Sequence, residues 1–284
     1  MLYLKSYQGL GNEYLLVDPR RSVLGQSAER LQLALSRSFG VCADGILIGP
    51  LPDCADWQLR IFNPDGSEAA CGGNAVMIFA RYLADAGYVT ADSLTVQVGA
   101  GQIPVEFLDG AHERVRITLP RASFLSSEVP AAGEVRDCAD VTLDLQGQKL
   151  RAALLSNGTP HCIVPLENVS RPLACDLGPR IQECGLFPEG VNVTLVAKEE
   201  PDAIRVEFFE RGVGYLPSSG SCAAAAAAAA HRFGLCGTSV TVRMPGGEML
   251  AELLPDGRTA LTGRVSELRS QTYSDDEVRE ALCL

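Results

Sequence analysis

The chain of 284 residues is long enough for two domains of modest size, and with 46% hydrophobic and 21% charged residues it can bury a core. Thirty-five acids against 24 bases leave a net charge of −11, which argues against nucleic acid or an anionic membrane surface as a main partner. No apolar run reaches the roughly 18–20 residues of a membrane span, and MLYLKSYQGLGNEY lacks the basic and apolar regions of an export signal. We therefore expect a cytoplasmic protein with reduced thiols.

In chain order, β-rich runs bounded by Gly, Pro, Asn or Asp predict strands over 14–17, 45–48, 58–62, 94–98, 115–119, 163–165, 191–196, 204–209 and 239–244. Helices are few. A weak amphipathic pattern covers 27–38. The run 74–86 is apolar at nearly every position and stops at Gly87, and 222–233 holds eight consecutive alanines before Gly234. Both are apolar all round, as only a buried helix can be. The ten cysteines (Cys42, Cys54, Cys71, Cys138, Cys162, Cys175, Cys184, Cys222, Cys236 and Cys283) form no CxxC, so neither a zinc site nor a disulfide frame is expected. Most should be small core hydrophobes.

The two long helices mark a repeat. A shift of 147 carries Gly87 onto Gly234, Phe62 onto Phe209, Asn63 onto Glu210, Gly73 onto Gly220 and Asn12 onto Thr159. After each helix comes a similar strand–turn–strand, SLTVQVGAGQIPVEF and SVTVRMPGGEMLAEL, offset by about 146. Recurrence at a fixed period indicates a duplicated plan. The expected fold is α+β: two pseudo-symmetric domains, each a curled β-sheet or barrel around a central helix. The boundary should fall near 119–124. Domains of 1–120 and 121–265 follow, with 266–284 returning to the first.

The motifs GLGNEY (Gly9 to Tyr14), CADG (Cys42 to Gly45), RIFNPDGSEA (Arg60 to Ala69), GGNA, GTPH (Gly158 to His161), VNV (Val191 to Val193), ERGVG (Glu210 to Gly214) and SGS (Ser219 to Ser221) run in one order. In that order and spacing the chain resembles the diaminopimelate epimerase family, from about residue 3 to about residue 263. The resemblance implies an active site between two pseudo-symmetric domains and no pyridoxal phosphate, metal or other cofactor. It implies inversion of an α-carbon by a thiolate base and a thiol acid on opposite faces of the substrate. Such chemistry needs the carboxylate charge stabilised and the two groups collinear with the carbon. Helix N-termini suit both tasks, since their N–H groups bind anions and their dipoles lower a nearby thiol's pKa. Gly72, Gly73 and Asn74 form one such start and Ser219, Gly220 and Ser221 the other. Plain capping is the bland alternative for both. The resemblance further assigns Asn12, Asn63, Asn192, Glu210 and Arg211 to holding the substrate or ordering the site. For Glu210 and Arg211 the competing reading is a solvated ion pair, and His161 is a site-orienting or a structural histidine.

The pattern breaks where the chemistry should be. Counted without gaps, the two catalytic cysteine positions of the family fall on Gly72 and Ser219, leaving Cys71 one residue early and Cys222 three late. A one-residue deletion offset by the extra glycine in CGGN would make Cys71 catalytic, opposite Ser219. Otherwise Cys71, like Cys222, is a packing thiol. A Cys/Ser pair would suit one-sided proton transfer, because a hydroxyl is a far weaker acid than a thiol. Tyr215-Leu216 stands where the family has Glu-Thr, and Thr159 replaces an asparagine, so the substrate's distal end should differ from diaminopimelate's.

The expectation is a cofactor-independent isomerase acting at the α-carbon of a small amino acid or related carboxylate, with Cys71 and Ser219 handling the proton. A lyase or cyclase on the same fold, or a binding protein that has lost turnover, stays open, as does a homodimer.

Overall fold

The computed structural model describes residues 2–22, 43–51, 57–63, 66–274 and 276–277. The helix expected over 27–38 and Cys42, Cys54 and Cys283 lie outside the described residues. The chain divides into two compact units, one running to Ile117 and resuming at Gly263, the other spanning Thr118–Thr262.

The first unit opens with β1 (Leu2–Gly9) and β2 (Asn12–Val17), antiparallel with Gly9 opposite Asn12. Their two-residue turn has positive φ at both Leu10 (56°) and Gly11 (82°), the geometry that matches strand twist in a tight hairpin. β3 (Gly45–Ile48) runs parallel to β2 and antiparallel to β5 (Arg60–Phe62), while β4 (Trp57–Gln58) joins the later strands. After β6 (Glu68–Ala69) comes α1 (Gly73–Asp85), then β7 (Ser93–Val98), β8 (Gly101–Phe107) and β9 (Arg114–Leu119) as an antiparallel meander. Residues 73–80 of α1, with Tyr82 and Leu83, are buried, so the helix is the core around which the sheet curls. Its far end is pinned by Asp18, fully buried, which accepts hydrogen bonds from the Tyr82 and Tyr88 hydroxyls; unpaired, that carboxylate would be costly.

The second unit contains β10 (Val141–Leu145), β11 (Gln148–Ser156), β12 (Pro160–Pro165), α2 (Arg171–Gln182), β13 (Asn192–Glu200), β14 (Ala203–Glu210) and β15 (Gly214–Leu216). It continues with α3 (Gly220–Arg232), β16 (Ser239–Met244), β17 (Gly247–Leu253) and the start of β18 (Thr259–Tyr273). The later stretch of β18, from Val265, pairs with β1. In α3, Gly220, Cys222 and all eight alanines are buried against β11 to β14, β16 and β17. Alanine suits that place because close-approaching strands leave no room for larger side chains, and it costs no side-chain entropy in a helix.

α2 was not anticipated from sequence. Gly178 and Pro179 argue against a helix interior there, although Pro172, in the first turn, suits a helix start. Tertiary packing overrides them. Ser170 caps the first turn, Ala174, Leu177 and Ile181 enter the core, and Gly178 lies so close to Phe209 that a Cβ would come within 2.4 Å of its ring.

The repeat holds in the hydrogen-bond register. α1 and α3 are offset by 147 at both ends, and each is followed by a glycine at φ +75°, Gly87 and Gly234. The parallel partners Tyr14 and Gly45 correspond to His161 and Asn192, and the antiparallel partners Ile46 and Phe62 to Val193 and Phe209. Trp57 and Val96 correspond to Ile204 and Val242, the second member now offset by 146. Each unit is therefore the same α+β plan. Among the described residues, no helix is long and apolar enough to cross a membrane.

Candidate active site

The start of α1 is built on a bare N-cap. Gly72 is extended (φ −155°, ψ 114°) and supplies no side-chain cap, so the first turn depends on other partners for its N–H groups. Asn74, in that turn, donates from Nδ2 to Asn12 Oδ1 at 2.6 Å. Asn12 in turn donates toward Asp44 Oδ2 at 3.4 Å, and the Glu13 backbone N–H donates to the same oxygen at 2.8 Å. A carboxylate before β3 thus orients an amide on β2, which orients an amide on the helix. Asn63 is not brought into this chain: its side chain donates to Ser67 Oγ at 3.0 Å and its backbone N–H to Ser67 O at 2.9 Å, closing its own turn.

Cys71 immediately precedes the N-cap and is half-buried. The carbonyl of Ala70 accepts from the Ala100 N–H at 2.8 Å, and Gly99 packs on the Ala70 backbone, which fixes this segment before the helix. Burial pushes the Cys71 thiol up to about 11, against a smaller lowering by a hydrogen bond from the Gly72 backbone. Desolvation outweighs the helix start here, and the thiol is neutral at physiological pH.

The start of α3 has the same backbone and different chemistry. Ser219 is extended (φ −156°, ψ 121°), but its Oγ accepts from the Cys222 N–H at 3.4 Å and lies 3.4 Å from Ser221 Oγ. The serine caps its own helix. One turn in, the Cys222 thiol donates to Glu210 Oε1 at 3.4 Å. It is fully buried, and burial, followed by the Glu210 charge, pushes it well above the ordinary thiol range. Gly220 is buried and follows Ser219 as the first helical residue.

The surrounding residues form two groups of hydrogen bonds. Asn157 donates from Nδ2 to the Ser221 carbonyl at 2.9 Å, and its Oδ1 faces His161 Nε2 at 3.0 Å; Thr159 Oγ1 is 2.8 Å from the same nitrogen. Because the Asn157 amide is oriented by Ser221, the hydrogen belongs on Nε2. Nδ1 is then a buried acceptor, and it has no partner among the described residues. Burial, with the Arg211 charge second, pushes His161 down to about 3, so the ring is neutral and structural at physiological pH. Asn192 accepts the Arg211 N–H on Oδ1 at 3.0 Å, and Arg211 Nη1 donates to Glu189 O at 2.7 Å. Its stem crosses Gly190 (φ +74°), where a Cβ would come within 2.6 Å of Arg211 Cδ. Glu210 and Arg211 thus have separate partners, and among the described residues they form no ion pair with one another.

Tyr215 and Leu216 part company. Leu216 is opposite Phe208 and Tyr215 opposite Phe209 across β14 and β15, so they project from opposite faces. Tyr215 Oη donates to Glu207 Oε2 at 2.7 Å beneath the Arg171 guanidinium of α2. Glu210, an even-numbered neighbour of Phe208, meets α3 through Cys222. Leu216 therefore shares the α3 face, and Tyr215 does not. Sequence reasoning treated the two as a unit, and strand register separates them. It also missed Asp44 and Asn157. Asp44 sits inside CADG, and Asn157 two residues before Thr159.

Comparison with known proteins bears on this arrangement. The sequence profile described as diaminopimelate epimerase matches residues 5–125 and 153–268. Diaminopimelate epimerase 2 of Nostoc sp. is 35% identical over 271 residues, 95% of this chain and 95% of that protein. Diaminopimelate epimerase of Caldanaerobacter subterraneus is 34% identical over 263 residues, covering 92% and 95%. Among solved structures, a probable proline racemase from Agrobacterium radiobacter K84 aligns with a TM-score of 0.69 at 18% identity, over 97% of this chain and 94% of that one; at this identity the likeness is one of fold.

Proposed function

The chain belongs to the diaminopimelate epimerase family, an epimerase- and racemase-type isomerase family, and from that membership we propose that it moves a proton at the α-carbon of a small amino acid or related carboxylate without a cofactor. Each unit contributes one helix start, Gly72–Asn74 and Ser219–Ser221, to binding the carboxylate. Asn12, Asn63 and Asn74 from one unit, and Thr159, Asn192, Glu210 and Arg211 from the other, order the substrate. The carrying observation is that α1 and α3 begin on N-caps of nearly identical backbone geometry, each tied by a side-chain amide to a neighbouring strand or loop. Helix starts so held are anion sites that need no reorganisation on binding.

Cys71 and Ser219 are the proton-handling pair. As thiolate, Cys71 Sγ removes the α-proton, the carbanion's charge passes to the bound carboxylate, and the Ser219 hydroxyl is the donor on the other face. A hydroxyl donates far less readily than a thiol. Return of a proton from Cys71 itself should therefore outpace delivery from Ser219, so that exchange with solvent exceeds inversion. Thr159, engaged with His161, and Leu216, apolar on the α3 face, favour a substrate whose distal end is less polar than that of diaminopimelate.

The test is incubation in D₂O with a panel of amino acids that includes diaminopimelate, read by loss of the α-proton signal. Exchange on at least one member, lost in Cys71→Ala, is the expected result. Full exchange in Cys71→Ala would remove Cys71 from the mechanism. No exchange on any member, with ligands still raising the melting temperature, would make this a binding protein.

A further inference from the structure

A cavity of about 800 Å³ opens in the second unit at the C-terminal end of α3, remote from Ser219. The helix has 13 residues, so at about 1.5 Å per residue its two ends are about 20 Å apart. Two arginines, Arg121 and Arg232, line the cavity with two carboxylates, Glu128 and Asp137, and an apolar wall that includes Phe124, Leu253 and Leu254; Asp137 Oδ1 accepts the Ala139 N–H at 2.8 Å. Arg232 stacks on the Phe124 ring at 5.1 Å, and the stem of Arg121 lies over Gly257, where a Cβ would come within 3.0 Å of its Cγ.

Several arginines elsewhere in this acidic chain pair with carboxylates, as in Arg60 with Glu68 at 2.7 Å, Arg151 with Asp140 at 2.8 Å and Arg258 with Asp256 at 2.7 Å, while Arg136 and Arg211 donate to backbone carbonyls. Arg121, Arg232 and Glu128 form no ion pair among the described residues, although all three line one cavity. Two cations and two carboxylates, one of them engaged by a backbone N–H of its own loop, thus line one cavity with no ion pair among them in the described residues. That pattern complements a molecule that carries both charges close together on an apolar body, and the volume is that of a small-molecule site.

We propose that this cavity binds a free amino acid, its carboxylate on Arg121 and Arg232, its ammonium group on Glu128 and its side chain against Leu253 and Leu254. The site lies at the opposite end of α3 from Ser219, and occupancy requires no turnover.

The test is calorimetric titration of the intact protein with each protein amino acid, beginning with L-leucine. 4-Methylpentanoate and 3-methylbutylamine supply its carboxylate and its ammonium group separately. The expected result is binding in the millimolar range or tighter, weakened about tenfold or more for either analogue and in Arg232→Gln and Glu128→Gln. Glu128→Gln alters an exposed side chain and keeps the test valid should Arg232→Gln fold poorly. Asn192→Ala, at the candidate active site, should leave this binding unchanged. No heat from any amino acid at about 10 mM, equal binding of the leucine analogues, or full binding in both cavity variants would overturn the proposal. Binding lost in Asn192→Ala but retained in Glu128→Gln would assign the amino acid to the helix starts instead.

Discussion

The starts of α1 and α3 share a backbone and differ in almost everything attached to it. At α1 the N-cap is a glycine, the helix start has no side-chain cap, and the nearest thiol lies one residue upstream and half-buried. At α3 the N-cap is a serine engaged in capping, and the nearest thiol lies one turn downstream, fully buried on Glu210. The polar support differs too. In the first unit a carboxylate, Asp44, anchors the chain of amides; in the second a neutral imidazole, His161, does so. The two units thus share the backbone of the helix start and differ in the side chains set around it. Of the two thiols beside these helix starts, Cys71 is half-buried and Cys222 fully buried.

The comparison can be broken most severely at Cys71. Cys71→Ala should lower α-proton exchange by about a thousandfold, within the range that a positioned acid–base group supplies, whereas Cys222→Ala should change it little; rates of deuterium incorporation by NMR check both. Equal losses in the two variants would mean that the units are chemically alike.

His161 tests the second unit from the side of stability. Its folded pKa is depressed to about 3 from an ordinary 6.5, so its contribution is complete above pH 6.5 and is lost as pH falls toward 3. Urea unfolding should show a loss of about 2 kcal/mol between pH 7.5 and pH 5, and His161→Gln should flatten that dependence.

The pH profile of exchange isolates the first unit again. With Cys71 raised to about 11, the thiolate fraction grows about tenfold per pH unit across the neutral and mildly alkaline range. The rate should follow that slope and show no plateau near 9. Alkylation of Cys71 by iodoacetamide, followed by mass spectrometry, should show the same slope.

The smallest effect separates the two caps. Ser219→Ala should cost about 1 kcal/mol of stability, the ordinary value of a serine N-cap. Gly72→Ala removes no cap, so its effect should be smaller, limited to relieving a close contact of 3.3 Å between the new Cβ and Ala75 Cβ. Thermal unfolding of the two variants gives the difference directly.

Much of this frame was legible in the sequence. The offset of 147 emerged from glycines and apolar runs alone, because a buried all-apolar helix with a glycine stop is a strong local signal repeated twice. α2 was not legible: Gly178 and Pro179 oppose helix locally, and the close approach to Phe209 explains Gly178. At the site, the motif residues Asn12, Asn74, Asn192 and Arg211 were identifiable in the chain, and each makes a hydrogen bond in the motif's neighbourhood. Asp44 and Asn157 were not singled out, because a side chain that orients another side chain leaves no periodic or compositional trace. The opposite faces of Tyr215 and Leu216 depended on strand register, which one residue of slip would have inverted.

The inequality of Cys71 and Ser219 is measured most directly as the ratio of α-proton exchange to inversion on one enantiomer of the best substrate, by NMR in D₂O and chiral chromatography of the same samples. Exchange should exceed inversion by about tenfold or more, as expected of a strong and a weak proton donor on opposite faces, and Ser219→Cys should bring the two rates together. Equal rates in the unmodified protein, unmoved by Ser219→Cys, would contradict it.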